Sequence, residues 1–389
     1  MGIILFSDGY FKINGNRKIK IEMNILVQLS HPAHFHLYKN AIYNWKKNNH
    51  NVFILIKTKD ILEDLLKNAG LEYYNILPTS HRKSKFGVLL DMLIRDWKIF
   101  CFSIKHKIDM LTGSTPEVAH ISWILRKYSV NTGEDDAAVV PAFSKVVGFT
   151  MQTLLTPITC DNGIFNKKSV KYQGFQKLAY LHPNRFTPSK DVVIQYGIDP
   201  DKPYFIMRFA KLNAHHDVGI SGINTEIAQN LINILSPIGR VLITSERELE
   251  PQFEKYRLQI NPLDIHHVMS FATLYVGDSQ SMAVEAAMLG VPSLRFNDFV
   301  GPKRIGVLVE LEEKYQLTYG ISSKQPDLLY SKVKEILSLP NVREEWQNRR
   351  NKMLGEKIDV TAFITWFIEN YPESKKIMLE NPDYQYNFK

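Results

Sequence analysis

Leu274-Tyr-Val-Gly-Asp-Ser-Gln-Ser-Met-Ala-Val-Glu-Ala-Ala-Met-Leu-Gly-Val-Pro-Ser-Leu-Arg295 reads as a strand, a tight turn, a helix and a second strand. Gly277 is expected to permit the turn. Asp278 or Ser279 would cap the helix, leaving the N–H groups of Gln280, Ser281 and Met282 pointing out of its positive end. Such an end binds phosphate. Ser281 and Glu285 are four residues apart and share a face, separated by about 6 Å along the axis. A diphosphate held at the helix start would bring its ribose near Glu285, whose carboxylate can accept from both ribose hydroxyls. Ala283, Ala286 and Ala287 let the helix lie close to a sheet. The competing reading is a capped, alanine-rich helix with Glu285 in water, since any strand–helix–strand unit needs a cap and small packing residues.

Working outward, the same alternation fills residues 204–295. Strands are expected at 204–209, 240–244, 274–276 and 292–295, with helices at 224–235, 264–272 and 280–289. The first half repeats it, with strands at 24–29, 51–57, 72–76, 110–112, 129–132 and 146–151. Helices at 35–48, 60–69, 86–106 and 116–127 lie between them. Strand and helix in strict alternation imply parallel sheets covered on both faces. The fold class is therefore α/β, with two Rossmann-like domains. Prolines at 183, 188, 200 and 203 interrupt the pattern. The expected organisation is an N-terminal extension at 1–22, a first domain at 23–183, a linker at 184–203, a second domain at 204–360 and a C-terminal helix and tail at 361–389. Helices at 326–337, 342–354 and 361–371 end the chain, and Phe363, Trp366 and Phe367 are expected to pack back on the first domain. Met23 is a candidate alternative start.

Composition agrees with two cores. The 389 residues are 44% hydrophobic and 23% charged, which excludes disorder and a long coiled coil. The net charge of +8 favours an anionic partner. The basic residues are scattered, so a phosphorylated small molecule or an anionic membrane surface fits better than nucleic acid. Cys101 and Cys160 cannot build a disulfide framework or a cysteine zinc site, and a cytoplasmic location is expected. Residues 86–104 are the most apolar stretch. They carry Asp91, Arg95, Asp96 and Lys98, so they read as an amphipathic helix packed on a sheet, with an anionic membrane surface at the inner face as the alternative.

The Gly277 segment resembles the nucleotide-binding helix of the GT-B superfamily, especially that of the non-hydrolysing UDP-N-acetylglucosamine 2-epimerases. Those have Asp-Ser-Gly-Gly followed by a ribose-binding Glu. Asp278, Ser279 and Glu285 occupy matching positions, whereas Gln280 and Ser281 replace the two glycines. From about Met23 to Pro372 the chain is also similar to an uncharacterised family of predicted glycosyltransferases. The pieces that carry this likeness are His31-Pro-Ala-His-Phe-His36, Lys177-Leu-Ala-Tyr-Leu-His-Pro183, Asn213-Ala-His-His-Asp217, Asp264-Ile-His-His267, the Gly277 segment and Lys357-Ile-Asp-Val-Thr-Ala-Phe363. The resemblance implies a GT-B-like arrangement, with sheets facing across a cleft and C-terminal helices returning to the first domain.

Further candidates lie after strands, where open α/β sheets bind ligands. Arg208, His215 and His216 are candidates to contact the diphosphate and sugar; the matching epimerase loop carries a substrate-contacting His. His34 and Glu134 are candidate bases toward an acceptor hydroxyl. A helix start is an equal reading of Glu134 and its acidic neighbours. His266 is placed near the nucleobase through its backbone. His31, His34 and His36 invite a metal, but no carboxylate or cysteine lies near them in sequence, and GT-B enzymes hold phosphate with helix ends. No metal and no cofactor is expected, the nucleotide sugar being a substrate.

The function expected is a glycosyltransferase moving a sugar from a nucleoside diphosphate donor, UDP-linked by resemblance, to a saccharide or lipid-linked acceptor in surface polysaccharide or glycolipid synthesis. The alternative is a sugar-nucleotide 2-epimerase. The epimerases have an Arg after the first strand and an Asp after the fourth, where this chain reads Ser30-His-Pro-Ala-His34 and Thr112-Gly-Ser-Thr115. A non-catalytic nucleotide-sugar binding protein is the third reading.

Overall fold

The computed structural model describes residues 3–6, 9–14, 17–20, 22–59, 61–77, 85–139, 146–210, 222–300 and 305–389. Contacts divide the chain into two compact units, one of Met1–Tyr180 with Lys357–Lys389, the other of Leu181–Glu356.

In the first unit, β1 (Ile3–Phe6), β2 (Gly9–Asn14) and β3 (Arg17–Lys20) make a small antiparallel sheet of their own within the expected extension. The main sheet contains β4 (Asn24–Leu29), β5 (Asn51–Lys57), β6 (Tyr74–Leu77), β7 (Met110–Gly113), β8 (Tyr128–Thr132), β9 (Leu154–Pro157) and β10 (Ser169–Tyr172). Its order is β10-β9-β8-β7-β4-β5-β6, with every pairing parallel. Ile25, Leu26, Val27 and Leu29 of β4 are fully buried, as a central parallel strand covered on both faces requires.

The direction in which successive strands are added to the sheet reverses between β4 and β7. Because such crossovers are right-handed, helices made before and after the reversal lie on opposite faces. Pro32–Lys47 and Leu62–Asn68 cover one face, and Lys85–Lys105 and Pro116–Leu125 the other. Ile99, Val118 and Ile121 of the second pair join Leu26, Leu55 and Leu111 in one core.

The strand expected at 146–151 is not formed. Gly148 has φ +42°, which breaks an extended run, and the Thr150 N–H closes a turn on the Val147 carbonyl at 3.0 Å. Strand β9 begins three residues later, at Leu154. The short strand β10 was not anticipated.

The second unit has a five-stranded parallel sheet of β11 (Tyr204–Phe209), β12 (Arg240–Ser245), β13 (Leu274–Gly277), β14 (Ser293–Phe296) and β15 (Thr318–Ile321). Its order is β12-β11-β13-β14-β15. The reversal here falls between β11 and β13, where Arg208 pairs with Gly277. Residues 184–203, expected as a linker, contain the helix Lys190–Ile194 and are tied into this unit. The Ser189 N–H reaches His267 Nδ1 at 3.1 Å, and Tyr196 Oη donates to Asp264 at 2.6 Å.

The C-terminal helix Val360–Glu369 returns to the first unit as expected. Phe363 and Phe367 are fully buried, Trp45 Nε1 donates to the Thr365 carbonyl at 3.4 Å, and Asn48 Nδ2 to Glu369 at 2.7 Å. A further helix, Glu373–Glu380, extends beyond the expected end at 371.

Candidate functional site

The carboxyl end of the second sheet gathers most of the expected residues. The helix runs from Gln280 to Met288, and Ser279, not Asp278, is its cap, with Oγ accepting from the Met282 N–H at 3.5 Å. Gln280 and Ser281 thus supply the leading N–H groups, while that of Met282 is engaged by the cap. The role assigned to Gly277 changes. Its backbone is not in the left-handed region; a Cβ there would lie 2.5 Å from Tyr275 Oη and 2.8 Å from Arg208 Cβ. Close packing at the strand-order reversal, and not the turn, demands glycine.

Asp278 is buried and works on the backbone. Oδ1 accepts from the Ala210 N–H at 2.6 Å and Oδ2 from the Ile223 N–H at 3.2 Å, so one carboxylate ties together the two sides of segment 211–221. Asn297 Nδ2 donates to the Asp278 carbonyl at 2.9 Å, which joins the end of β14 to the same point. Burial pushes the Asp278 pKa up to about 6, against the two backbone donors and Arg247. His215 and His216 fall within 211–221, outside the described residues.

Glu285 is not the water-exposed carboxylate of a bare amphipathic helix. It is buried, and Oε1 lies 3.5 Å from Nε2 of the equally buried His266. The sequence reading gave the His266 ring no role. Phe186 stands beside both rings of that helix, with centroids 6.2 Å from His266 and 4.7 Å from His267. Ser281, one turn before Glu285, is exposed.

Arg208 forms an ion pair with Glu246, and among the described residues its Nε has no hydrogen-bond partner although it is inaccessible to solvent. Gln280 Oε1 is in the same condition. A donor and an acceptor without partners, at the end of β11 and at the helix start, are unusual in a folded interior. Arg247, which no motif in the sequence singles out, donates to the Ile223 carbonyl at 2.6 Å and acts on Asp278. Its place just after β12 follows the same rule that singled out Arg208.

The carboxyl end of the first sheet is built separately. His31 caps the helix Pro32–Lys47 through Nδ1, which accepts from the Ala33 N–H at 3.1 Å. His34 is half-buried, and its Nδ1 accepts from the Ser30 N–H at 3.3 Å. Burial, then the positive charges of His31, Lys57 and Lys177, lower its pKa to about 3. Its imidazole is therefore neutral at ordinary pH, a hydrogen-bonding group and a weak base. Glu134 is engaged on both oxygens: Oε1 accepts from the Gln176 N–H at 2.6 Å and Oε2 lies 2.6 Å from Lys177 Nζ. Lys177 thus connects Glu134 and His34 electrostatically, a link that sequence spacing does not reveal. Tyr38, Thr112, Thr132 and Ser114 form a hydroxyl chain along the same edge. Among the described residues no three His, Cys, Asp or Glu side chains gather as a metal site.

No family model and no curated protein matches the chain. Solved structures do. A UDP-GlcNAc 2-epimerase from Neisseria meningitidis bound to UDP-GlcNAc superposes with a TM-score of 0.61 at 14% identity, over 90% of this chain and 100% of that one. A putative UDP-N-acetylglucosamine 2-epimerase from Listeria monocytogenes gives 0.65 at 10% identity, over 91% and 98%. A spinosyn rhamnosyltransferase complexed with spinosyn aglycone gives 0.58 at 12%, over 88% and 99%. The chain has the GT-B fold. Transferases and epimerases share it with this chain at identities that speak to fold alone.

Proposed function

We propose that this protein is a glycosyltransferase that takes its sugar from a nucleoside diphosphate donor held at the start of helix Gln280–Met288. The observation that carries the reading is the convergence, at the strand-order reversal of the second sheet, of a capped helix start with buried Glu285 and His266 one turn away. Open parallel sheets bind ligands at such reversals, and a helix start favours phosphate. In this reading the Gln280 and Ser281 N–H groups hold the diphosphate. Glu285 accepts from the ribose hydroxyls, and Phe186 with the His266 helix borders the base. Arg208, with His215 and His216, opposes charge on the departing nucleotide, and no metal or cofactor takes part. The solved UDP-GlcNAc complex of an epimerase with this fold supports a UDP-linked donor.

In the first unit, Glu134 and Lys177 orient the acceptor, a saccharide or a lipid-linked saccharide. His34, neutral and with Nδ1 occupied, hydrogen-bonds an acceptor hydroxyl. The place proposed for the reaction is surface polysaccharide or glycolipid synthesis on the cytoplasmic side.

The structural likeness to epimerases favours sugar-nucleotide 2-epimerisation as the second reading. Its chemistry moves a proton on and off C2, whereas the positions after β4 and β7 carry Ser30, His31, Ser114 and Thr115 in place of the epimerase Arg and Asp. One incubation separates the readings. UDP-N-acetylglucosamine in deuterated water, with and without an acceptor panel, should release UDP only with acceptor and incorporate no deuterium. Deuterium at C2 would establish the epimerase instead, and saturable binding without either product would leave a binding protein.

A further inference from the structure

The helix Lys85–Lys105 packs Ile99, Phe100 and Phe102 on the first core, yet it presents a second set of apolar residues to water. Its inward face includes buried Asp91 and Ser103, and Arg95, whose Nε lies 2.5 Å from Glu117 of the neighbouring helix. Its outward face presents Leu89, Leu93, Trp97 and Ile104, with Val88 and Cys101 beside them. Leu93 is 54% and Trp97 66% exposed. Residues 89, 93, 97, 101 and 104 follow a helical repeat, so they form one stripe along about four turns.

The stripe continues across neighbouring segments. Asp96 holds His120 of the helix Pro116–Leu125 at 3.0 Å, and His120 Nε2 lies 3.0 Å from the Val146 carbonyl. That second helix exposes Trp123 and Ile124, and Trp123 meets Phe149, itself 73% exposed, edge-on at 5.2 Å. Between 87 and 105, and in 116–125 and 146–150, the exposed charged side chains are Lys98 and Lys105; none is acidic. Lys107 and Arg126, just past the two helix ends, are exposed as well.

We infer that this face seats the protein on an anionic lipid bilayer. Contiguous exposed apolar surface of this extent marks an interaction site. Its chemistry fits the boundary of a bilayer: two tryptophans and a phenylalanine for the headgroup level, leucine and isoleucine for the acyl layer, and lysines whose long stems let the charge meet lipid phosphate. The exposed charged side chains on these described segments, Lys98 and Lys105, are both basic, which matches the negative potential of an anionic leaflet. No helix among the described residues is long and apolar enough to cross a membrane, so the contact lies in the plane of the surface. It holds whether or not the glycosyl-transfer reading does.

The test is co-sedimentation of the full chain with vesicles of phosphatidylcholine alone, or mixed with phosphatidylglycerol. Binding should be strong only to the mixed vesicles and should fall with salt. Trp97→Glu with Leu93→Glu should weaken it by at least about tenfold, and Lys98→Glu with Lys105→Glu should remove the preference for anionic lipid. Both pairs alter exposed positions, so circular dichroism and nucleotide binding should be unchanged. Quenching of wild-type tryptophan fluorescence by brominated phosphatidylcholine within the mixed vesicles gives a readout that needs no variant. No sedimentation with mixed vesicles, or a stable dimer in solution that Trp97→Glu disperses, would overturn the inference; the second result would give the face to another copy of the chain.

Discussion

His266 Nε2 lies 3.5 Å from Glu285 Oε1, two buried side chains on successive helices of the second unit. The contact sets an imidazole beside the carboxylate, one whose place there sequence spacing does not reveal. It also sets a sharp expectation. If Glu285 receives the ribose hydroxyls, then 2′-deoxy-UDP should bind the wild-type protein about tenfold more weakly than UDP, as loss of a hydrogen bond to a charged group implies. Glu285→Ala should bind both nucleotides equally, because the two changes remove the same interaction. Calorimetric titration of the four combinations measures the coupling, and additive losses would separate Glu285 from the ribose.

His34 should stay neutral across the pH range in which histidines ordinarily titrate. Its ring protons should show no shift between about pH 8 and about pH 5, as burial and three positive neighbours hold the pKa near 3. The folded pKa is depressed, so the stability linked to this group is present above the unfolded value of 6.5 and is lost as pH falls toward 3. Proton NMR of wild type against His34→Asn assigns the resonance. A titration midpoint near 6.5 would contradict the environment described.

Asp278 behaves in the opposite sense. Its folded pKa is raised from 3.8 to about 6, so its favourable contribution is complete below the unfolded value and disappears as pH rises through about 6. The unfolding free energy of wild type, relative to Asp278→Asn, should fall by about 2 kcal/mol between about pH 4 and about pH 7. Urea unfolding at several pH values gives the difference. A constant offset between the two proteins would show that the carboxyl does not titrate there.

Gly277 is the residue for which the structure replaced one physical reason with another. A methyl group would sit 2.5 Å from Tyr275 Oη and 2.8 Å from Arg208 Cβ, so the strands must separate or Tyr275 must move. Gly277→Ala should therefore lower stability by about 1–3 kcal/mol, the usual cost of overpacking. It should also weaken nucleotide binding, because Tyr275 Oη donates to the Ser279 carbonyl at 3.3 Å beside the helix cap. Denaturant unfolding with parallel UDP titration checks both; unchanged stability would mean the contact relaxes freely.

The parallel sheets were legible because their strands are short apolar runs between helical patterns. β4, β5 and β11 begin and end where that pattern placed them. The strand expected at 146–151 failed because apolar content does not report the backbone angle of Gly148. Short strands β10 and β15 are pinned by pairing to one neighbour, which no local pattern encodes. The helix start at Ser279 was readable from capping chemistry. Contacts made across the sequence were not. Asp278 reaching Ala210 and Ile223, Lys177 reaching Glu134, and His266 reaching Glu285 join positions separated by many residues. Nor did the pattern of 86–104 disclose that Leu89, Leu93, Trp97 and Ile104 face outward while Ile99 meets the core, since periodicity gives an angle between faces and not which one meets the sheet.

The central claim is that a nucleoside diphosphate binds at the start of helix Gln280–Met288 with Glu285 on its ribose. Isothermal titration of the full chain with UDP tests it most directly. Saturable one-to-one binding, weakened by about tenfold or more in Glu285→Ala, is the predicted result. No saturable binding of UDP or any other nucleoside diphosphate, or identical affinity in the variant, would contradict it.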